Sequence, residues 1–133
     1  MTPRVLSLLP GTFSICRLHQ DQAVPAWAQA PADFWSITRT HEELSIICLD
    51  QQMPPTVPAD RGWRCLRIEG PFDLTEPGVL AGVVGPLAVG NISVFAVATH
   101  DTDYLLVRDL TGAAAALARA GHRLTGLDGG GDA

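Results

Sequence analysis

Twenty-one consecutive residues from Gly78 to Ala98, GVLAGVVGPLAVGNISVFAVA, carry no charged side chain, and what this run becomes decides what the chain can be. A bilayer span needs about 20 apolar residues, so length alone permits a membrane helix. The texture inside the run points elsewhere, because Gly90-Asn91 divides it into a helix-like half and a strand-like half. In the first half, Val79, Leu80, Val83, Val84 and Leu87 fall on one side of a 3.6-residue helix. Thr75 is placed to cap that helix, Glu76 to complement its dipole and Pro77 to occupy its first turn. Pro86 should kink it or tighten its last turn, and Gly90 fits the left-handed residue that closes it. In the second half, Ile92, Val94, Phe95, Val97 and Thr99 are β-branched or aromatic and suit a central strand.

The 133 residues suffice for one ordinary domain or two very small ones, and an apolar content of 47% supplies a packed core. All nine basic residues are arginines, and the net charge of −5 argues against binding a nucleic-acid backbone. Met1 to Gly11 has too short an apolar run for a secretory signal, so a cytoplasmic location is expected, with no membrane contact. Cys16, Cys48 and Cys65 are odd in number and sit in apolar, strand-like runs, which reads as small core residues rather than a disulfide framework.

Along the chain, Thr12 to His19 reads as a strand with Phe13, Ile15 and Arg17 on one face, and Ala23 to Gln29 as a short helix starting near Pro25. Phe34 to Arg39 and Leu44 to Leu49 form a hairpin across residues 40–43. Gln51 to Asp60, with three prolines, reads as a linker. A strand follows over Trp63 to Glu69, then the helix and strand of the uncharged run, then a strand over Asp103 to Arg108. Asp109 caps a helix over Leu110 to Ala120 that Gly121 ends, and His122 to Leu127 forms an edge strand. The second half thus spells β-α-β-β-α-β, the ferredoxin-like arrangement of an antiparallel four-stranded sheet with two helices on one face. The first half spells β-α-β-β. Thr40-His41-Glu42 before Ser45 to Cys48 matches Thr99-His100-Asp101 before Tyr104 to Val107, with Asp50 matching Asp109, which suggests duplication. The expected division is residues 1–61 with the linker, residues 62–127, and a disordered tail at 128–133.

Two segments suggest chemistry. The turn from Thr75 to Leu80 places a glycine where a ligand can approach the backbone, and the first helical turn offers N–H donors to a carboxylate. A well-capped helix start explains the same residues without a ligand. Asp101 and Asp103 can receive an ammonium or guanidinium group, or serve only as turn residues. No Cys-x-x-Cys, paired histidines, phosphate loop or dinucleotide fingerprint is present, so no cofactor, metal or catalytic group is expected.

Phe72 to Leu80, followed by Pro86-Leu87 and Gly90 to Ser93, closely resembles the ACT domain, a regulatory module that binds amino acids. The continuation from Val94 to Val107 is similar to the branch containing the allosteric domains of aspartate kinases and the CASTOR-type arginine sensor. The resemblance implies an α+β fold of tandem ferredoxin-like (βαββαβ) ACT domains. It implies a non-enzymatic regulatory module that binds a small molecule, expected to be an amino acid, where ACT units pair. It further implies a homodimer and a separate regulated protein. The ligand-binding residues it assigns are Asp73, Thr75, Glu76, Gly78 and Val79 at the strand-to-helix turn, Asn91 and Ile92 after the helix, and Thr99, Asp101 and Asp103 in the loop. The alternative is a structural or interaction protein with a vestigial pocket.

Overall fold

The structure is a computed structural model and describes residues 2–70 and 76–127. Its strands are β1 (Val5–Leu8), β2 (Phe13–Leu18), β3 (Ser36–Arg39), β4 (Leu44–Leu49), β5 (Asp60–Ile68), β6 (Phe95–Ala98), β7 (Asp103–Val107) and β8 (Arg123–Thr125). Its α-helices are α1 (Val79–Val89) and α2 (Leu110–Arg119), with short 3-10 turns at Ala26–Gln29 and Asp50–Gln52. These elements form two compact units. One is Gly11–Trp63; the other joins the first ten residues to everything from Arg64 on. The strand Asp60–Ile68 contributes its start to the first and its remainder to the second.

In the first unit β3, β4, β2 and the start of β5 pair antiparallel in that order. Leu44, Ile46 and Cys48 alternate along β4 and bury against Cys16, Ala28 and Met53. Cys16 and its half-buried neighbour Leu18 pack on this cluster, while Phe13, Ile15 and Arg17 share the other face of β2, where Ile15 is half-buried and Arg17 exposed. Phe13 is buried separately, edge-on to Phe34 with ring centroids 6.1 Å apart. The short helix is a single 3-10 turn led by Pro25. The proline-rich segment packs on the core through Met53, Val57 and Ala59, and Arg61 donates to its Pro54 (2.9 Å) and Val57 (3.3 Å) carbonyls, so it covers the unit as well as leaving it.

In the second unit the strand order is β6-β7-β5-β1-β8, antiparallel except for the parallel pair β1-β8. Both helices pack on one face through Val79, Val83, Leu87, Ala113, Ala116 and Leu117, against Leu6, Leu8, Leu66, Ile68, Leu105 and Val107. The order β5-α1-β6-β7-α2-β8 is the expected ferredoxin-like one. The sequence reading did not single out β1, which inserts between β5 and β8 because Leu6 and Leu8 point into this core; the sheet is therefore mixed and larger than four strands. The sequence division had grouped these residues with the first unit. Strand β6 pairs only with β7 among the described residues, and Phe95 is 37% exposed, so it is an edge rather than a central strand.

The uncharged run does break where its pattern changes. Helix α1 begins at Val79, two residues after Pro77, with Gly78 as its left-handed N-cap at φ 80°. Glu76 forms an ion pair with Arg4 at 2.8 Å, while Thr75, the expected cap, lies outside the described residues. At the other end Asn91, not Gly90, takes the left-handed conformation (φ 61°). Ile92 N–H bonds to Leu87 O (2.9 Å) and Asn91 N–H to Ala88 O (3.0 Å), a Schellman closure. Helix α2 closes identically: Gly121 is left-handed, and His122 and Gly121 bond back to Leu117 and Ala118 at 3.0 Å each. Its start is capped by Asp109, whose carboxylate accepts from Gly112 N–H at 2.8 Å. No helix among the described residues is long and apolar enough to cross a membrane.

Pro86 lies inside α1 and has no N–H for the Gly82 carbonyl four residues earlier. The 5%-exposed His122 fills that vacancy, its Nε2 lying 2.8 Å from Gly82 O. Its Nδ1 accepts the Arg4 N–H at 2.9 Å, which puts the ring proton on Nε2. One imidazole thus ties α1, the start of β8 and the segment leading to β1. Replacing His122 by Ala orphans a carbonyl and an N–H together, and urea denaturation should show a loss of about 1–3 kcal/mol. The three cysteines are buried as free thiols, and burial pushes Cys48 up to about 11 and Cys65 up to about 12. Native protein at pH 8 should therefore resist a thiol reagent that labels all three once urea is added.

Candidate functional site

The start of α1 and the turn between β6 and β7 enclose a recess of about 290 Å³. That is near the small end of ligand sites, which begin at about 300 Å³. Helix α1 contributes Gly78, Val79, Leu80 and Ala81, preceded by Glu76; the hairpin contributes Ala98, Thr99, His100, Asp101, Thr102 and Asp103.

Helix geometry fixes the first wall. The first bond within α1 runs from Gly82 N–H to Gly78 O at 2.9 Å, so the N–H groups of Val79, Leu80 and Ala81 have no partner inside the helix. These donors, at the positive end of the helix dipole, suit an anion. Gly78 opens the approach: a Cβ there would meet nothing within 4 Å, but the left-handed backbone disfavours one.

Two threonines fix the second wall. Thr99 N–H and Oγ1 both donate to Thr102 O (2.9 and 2.8 Å), and Thr102 N–H returns to Thr99 Oγ1 at 3.3 Å. Buried Thr102 anchors the turn by donating its hydroxyl to Ile68 O at 2.5 Å. This framework presents Asp101 to solvent and Asp103, the first residue of β7, half-buried. Burial raises the Asp103 carboxyl above its ordinary value of 3.8, so its anion favours a compensating cation.

Six of the residues singled out by sequence lie around this recess: Glu76, Gly78, Val79, Thr99, Asp101 and Asp103. Asn91 and Ile92 do not join them. They follow the far end of α1, about 16 Å along its axis, where one closes the helix and the other packs on the core. Asp73 and Thr75 lie outside the described residues. Leu80, Ala81, Ala98, His100 and Thr102 also line the recess but were not singled out. The helix start implied the first two, since the donor set extends through N3; Thr102 is visible only once the turn is folded.

Two other hollows are less suited to a charged ligand. The groove of about 420 Å³ between α1 and α2 is lined by Ala81, Gly85, Pro86, Val89, Ala116, Ala120 and Arg119, with one charged side chain. The hollow of about 370 Å³ beside Gly11 and Leu49 contains Asp50, whose carboxylate already accepts from Ser14 and faces Arg61. Among the described residues, no three His, Cys, Asp or Glu side chains gather as metal ligands do.

The ACT domain model matches residues 59–121, and a second model, described as an N-terminal domain, matches residues 11–56. The human protein CASTOR3P is 35% identical over 92 residues, covering 58% of this chain; the chain spans little more than half (56%) of that relative's length. A crystal structure of an Agrobacterium tumefaciens protein is 44% identical, covers 93% of each chain and has a TM-score of 0.87. The ligand-free regulatory subunit of aspartate kinase from Thermus thermophilus shares the fold at 12% identity, with a TM-score of 0.58 over 84% of this chain and 93% of its own. Residues 59–121 of the chain match the ACT domain family.

Proposed function

We propose that the chain is a non-enzymatic regulatory module that binds an amino acid in the recess between the start of α1 and the β6–β7 turn. One observation carries this reading: helix N–H donors and the half-buried Asp103 carboxylate line the same small recess. A zwitterion needs both groups. Its carboxylate would accept from Val79, Leu80 and Ala81, while its ammonium would pair with Asp103 and, at the rim, Asp101. Glu76, already held by Arg4, fixes the edge of the recess. The family and the fold shared with an aspartate kinase regulatory subunit support a regulatory rather than a catalytic role. The reading includes a cytoplasmic homodimer that passes the ligand state to a separate protein through differential affinity for two arrangements.

The exposed edge strand β6, with Phe95 37% exposed, favours a second reading in which the domain serves association and its recess is vestigial. Thermal unfolding in each of the twenty amino acids separates the two. A bound ligand at a hundred times its Kd adds about 2.7 kcal/mol, whereas a vestigial recess leaves Tm unmoved throughout. Gly78→Ala and Gly121→Ala form a matched pair, because both positions are left-handed with open space at the Cβ. Each should cost about 1–2 kcal/mol in backbone strain, but only Gly78→Ala should abolish the ligand-induced shift.

Asp103 sets a pH dependence. A folded-state carboxyl raised by burial contributes stability that is full below its ordinary value of 3.8 and is lost as pH rises through the raised folded value. Asp103→Asn should remove that loss. Without ligand, the variant should therefore gain on the native protein as pH rises from the acid side to neutrality, while losing the amino-acid response. Denaturation across that range with and without the best amino acid checks both signs.

A further inference from the structure

The two units carry the same hairpin in the same register. In the first, Arg39, Thr38, Ile37 and Ser36 face Leu44, Ser45, Ile46 and Ile47; in the second, Ala98, Val97, Ala96 and Phe95 face Asp103, Tyr104, Leu105 and Leu106. The turns match as well: Thr40 N–H bonds to Glu43 O and Thr99 N–H to Thr102 O, both at 2.9 Å, and each threonine hydroxyl accepts from the third residue beyond it. By this register Arg39 stands where the second unit has Ala98, and Leu44 where it has Asp103. Ala98 and Asp103 line the open recess.

Both substitutions change what this place can hold. Leu44 is fully buried and offers no carboxylate to an ammonium. Arg39 reaches from the hairpin to the loop after β2, donating through one nitrogen to Gln20 O and through the other to Gln22 O at 2.9 Å. That loop leads to the 3-10 turn of the first unit, as the connection after β5 leads to α1. Gln22 N–H bonds back to His19 O at 3.0 Å, so the two carbonyls belong to a closed turn. The planar guanidinium fork suits two neighbouring acceptors, whereas a single ammonium serves them less well.

We propose that Arg39 is the built-in occupant of the first unit's counterpart of the ligand recess, seated on a guanidinium cradle formed by the Gln20 and Gln22 carbonyls. The chain then has one site open to a free ligand and one closed by its own side chain. Only that statement of stoichiometry rests on the proposed function; the cradle stands on the Arg39 contacts.

Nuclear magnetic resonance of the nitrogen-15-labelled chain tests the cradle, with methylguanidinium as the probe. In Arg39→Ala, amide exchange at Gln22 should rise about tenfold, because the charged bonds that hold the turn are gone. Methylguanidinium should then shift the Gln20, Asp21 and Gln22 amides saturably in the variant and not in the native chain, and methylammonium at equal ionic strength should not. Arg39→Lys, which keeps the charge and loses the fork, should show the same fast exchange and provides the comparison if Arg39→Ala does not fold. Equal responses in native and variant chains, or no saturable shift in the variants, would overturn the proposal. Neither arm uses an amino acid, so its failure leaves the second unit's recess standing, and failure there leaves this result intact.

Discussion

The left-handed backbone at Asn91 is the constraint on which the second unit depends. Eleven residues of α1 carry the chain about 16 Å from Gly78, and without a reversal the uncharged run would simply continue outward. Asn91 and the two bonds of its Schellman closure send the chain back antiparallel to the helix, and β6 returns along the sheet to Ala98. The turn after β6 consequently arrives beside the start of α1. A helix N-terminus and a carboxylate, separated by more than twenty residues of sequence, come to line one recess.

Two compensations make that path workable. Pro86 removes a donor from the middle of α1, and the freed Gly82 carbonyl would be costly if buried alone. His122, placed by the identical closure of α2, supplies the missing bond and joins the segment before β1 to the same point. Arg4 reinforces the junction through its backbone to His122 and through its side chain to Glu76, at the lip of the recess. The geometry of the candidate site is thus tied to the segment that leads into the N-terminal strand, which belongs to the same unit.

Much of this was legible in the residues. The apolar spacing from Val79 to Leu87 located α1, Asp109 and Gly121 bracketed α2, and the strand-like runs on either side of residues 40–43 and 99–102 located both hairpins. What escaped was set by distant partners. Val5–Leu8 is four residues long and has no local signature of its destination; only pairing with β5 and β8 gives it one. Gly90 and Asn91 both tolerate a left-handed backbone, and the choice follows from which N–H reaches Leu87 O. Asn91 and Ile92, assigned to the site by the resemblance, stand at the far end of α1 from the recess, where one closes the helix and the other packs on the core.

The most direct test of the central claim follows amide chemical shifts while amino acids are added to the native chain. At least one amino acid should move the amides of Val79, Leu80 and Ala81 together with those of Thr99, Asp101 and Asp103, along a single saturation curve. Shifts confined to one of these segments, or centred on Ala116 and Ala120 instead, would contradict it.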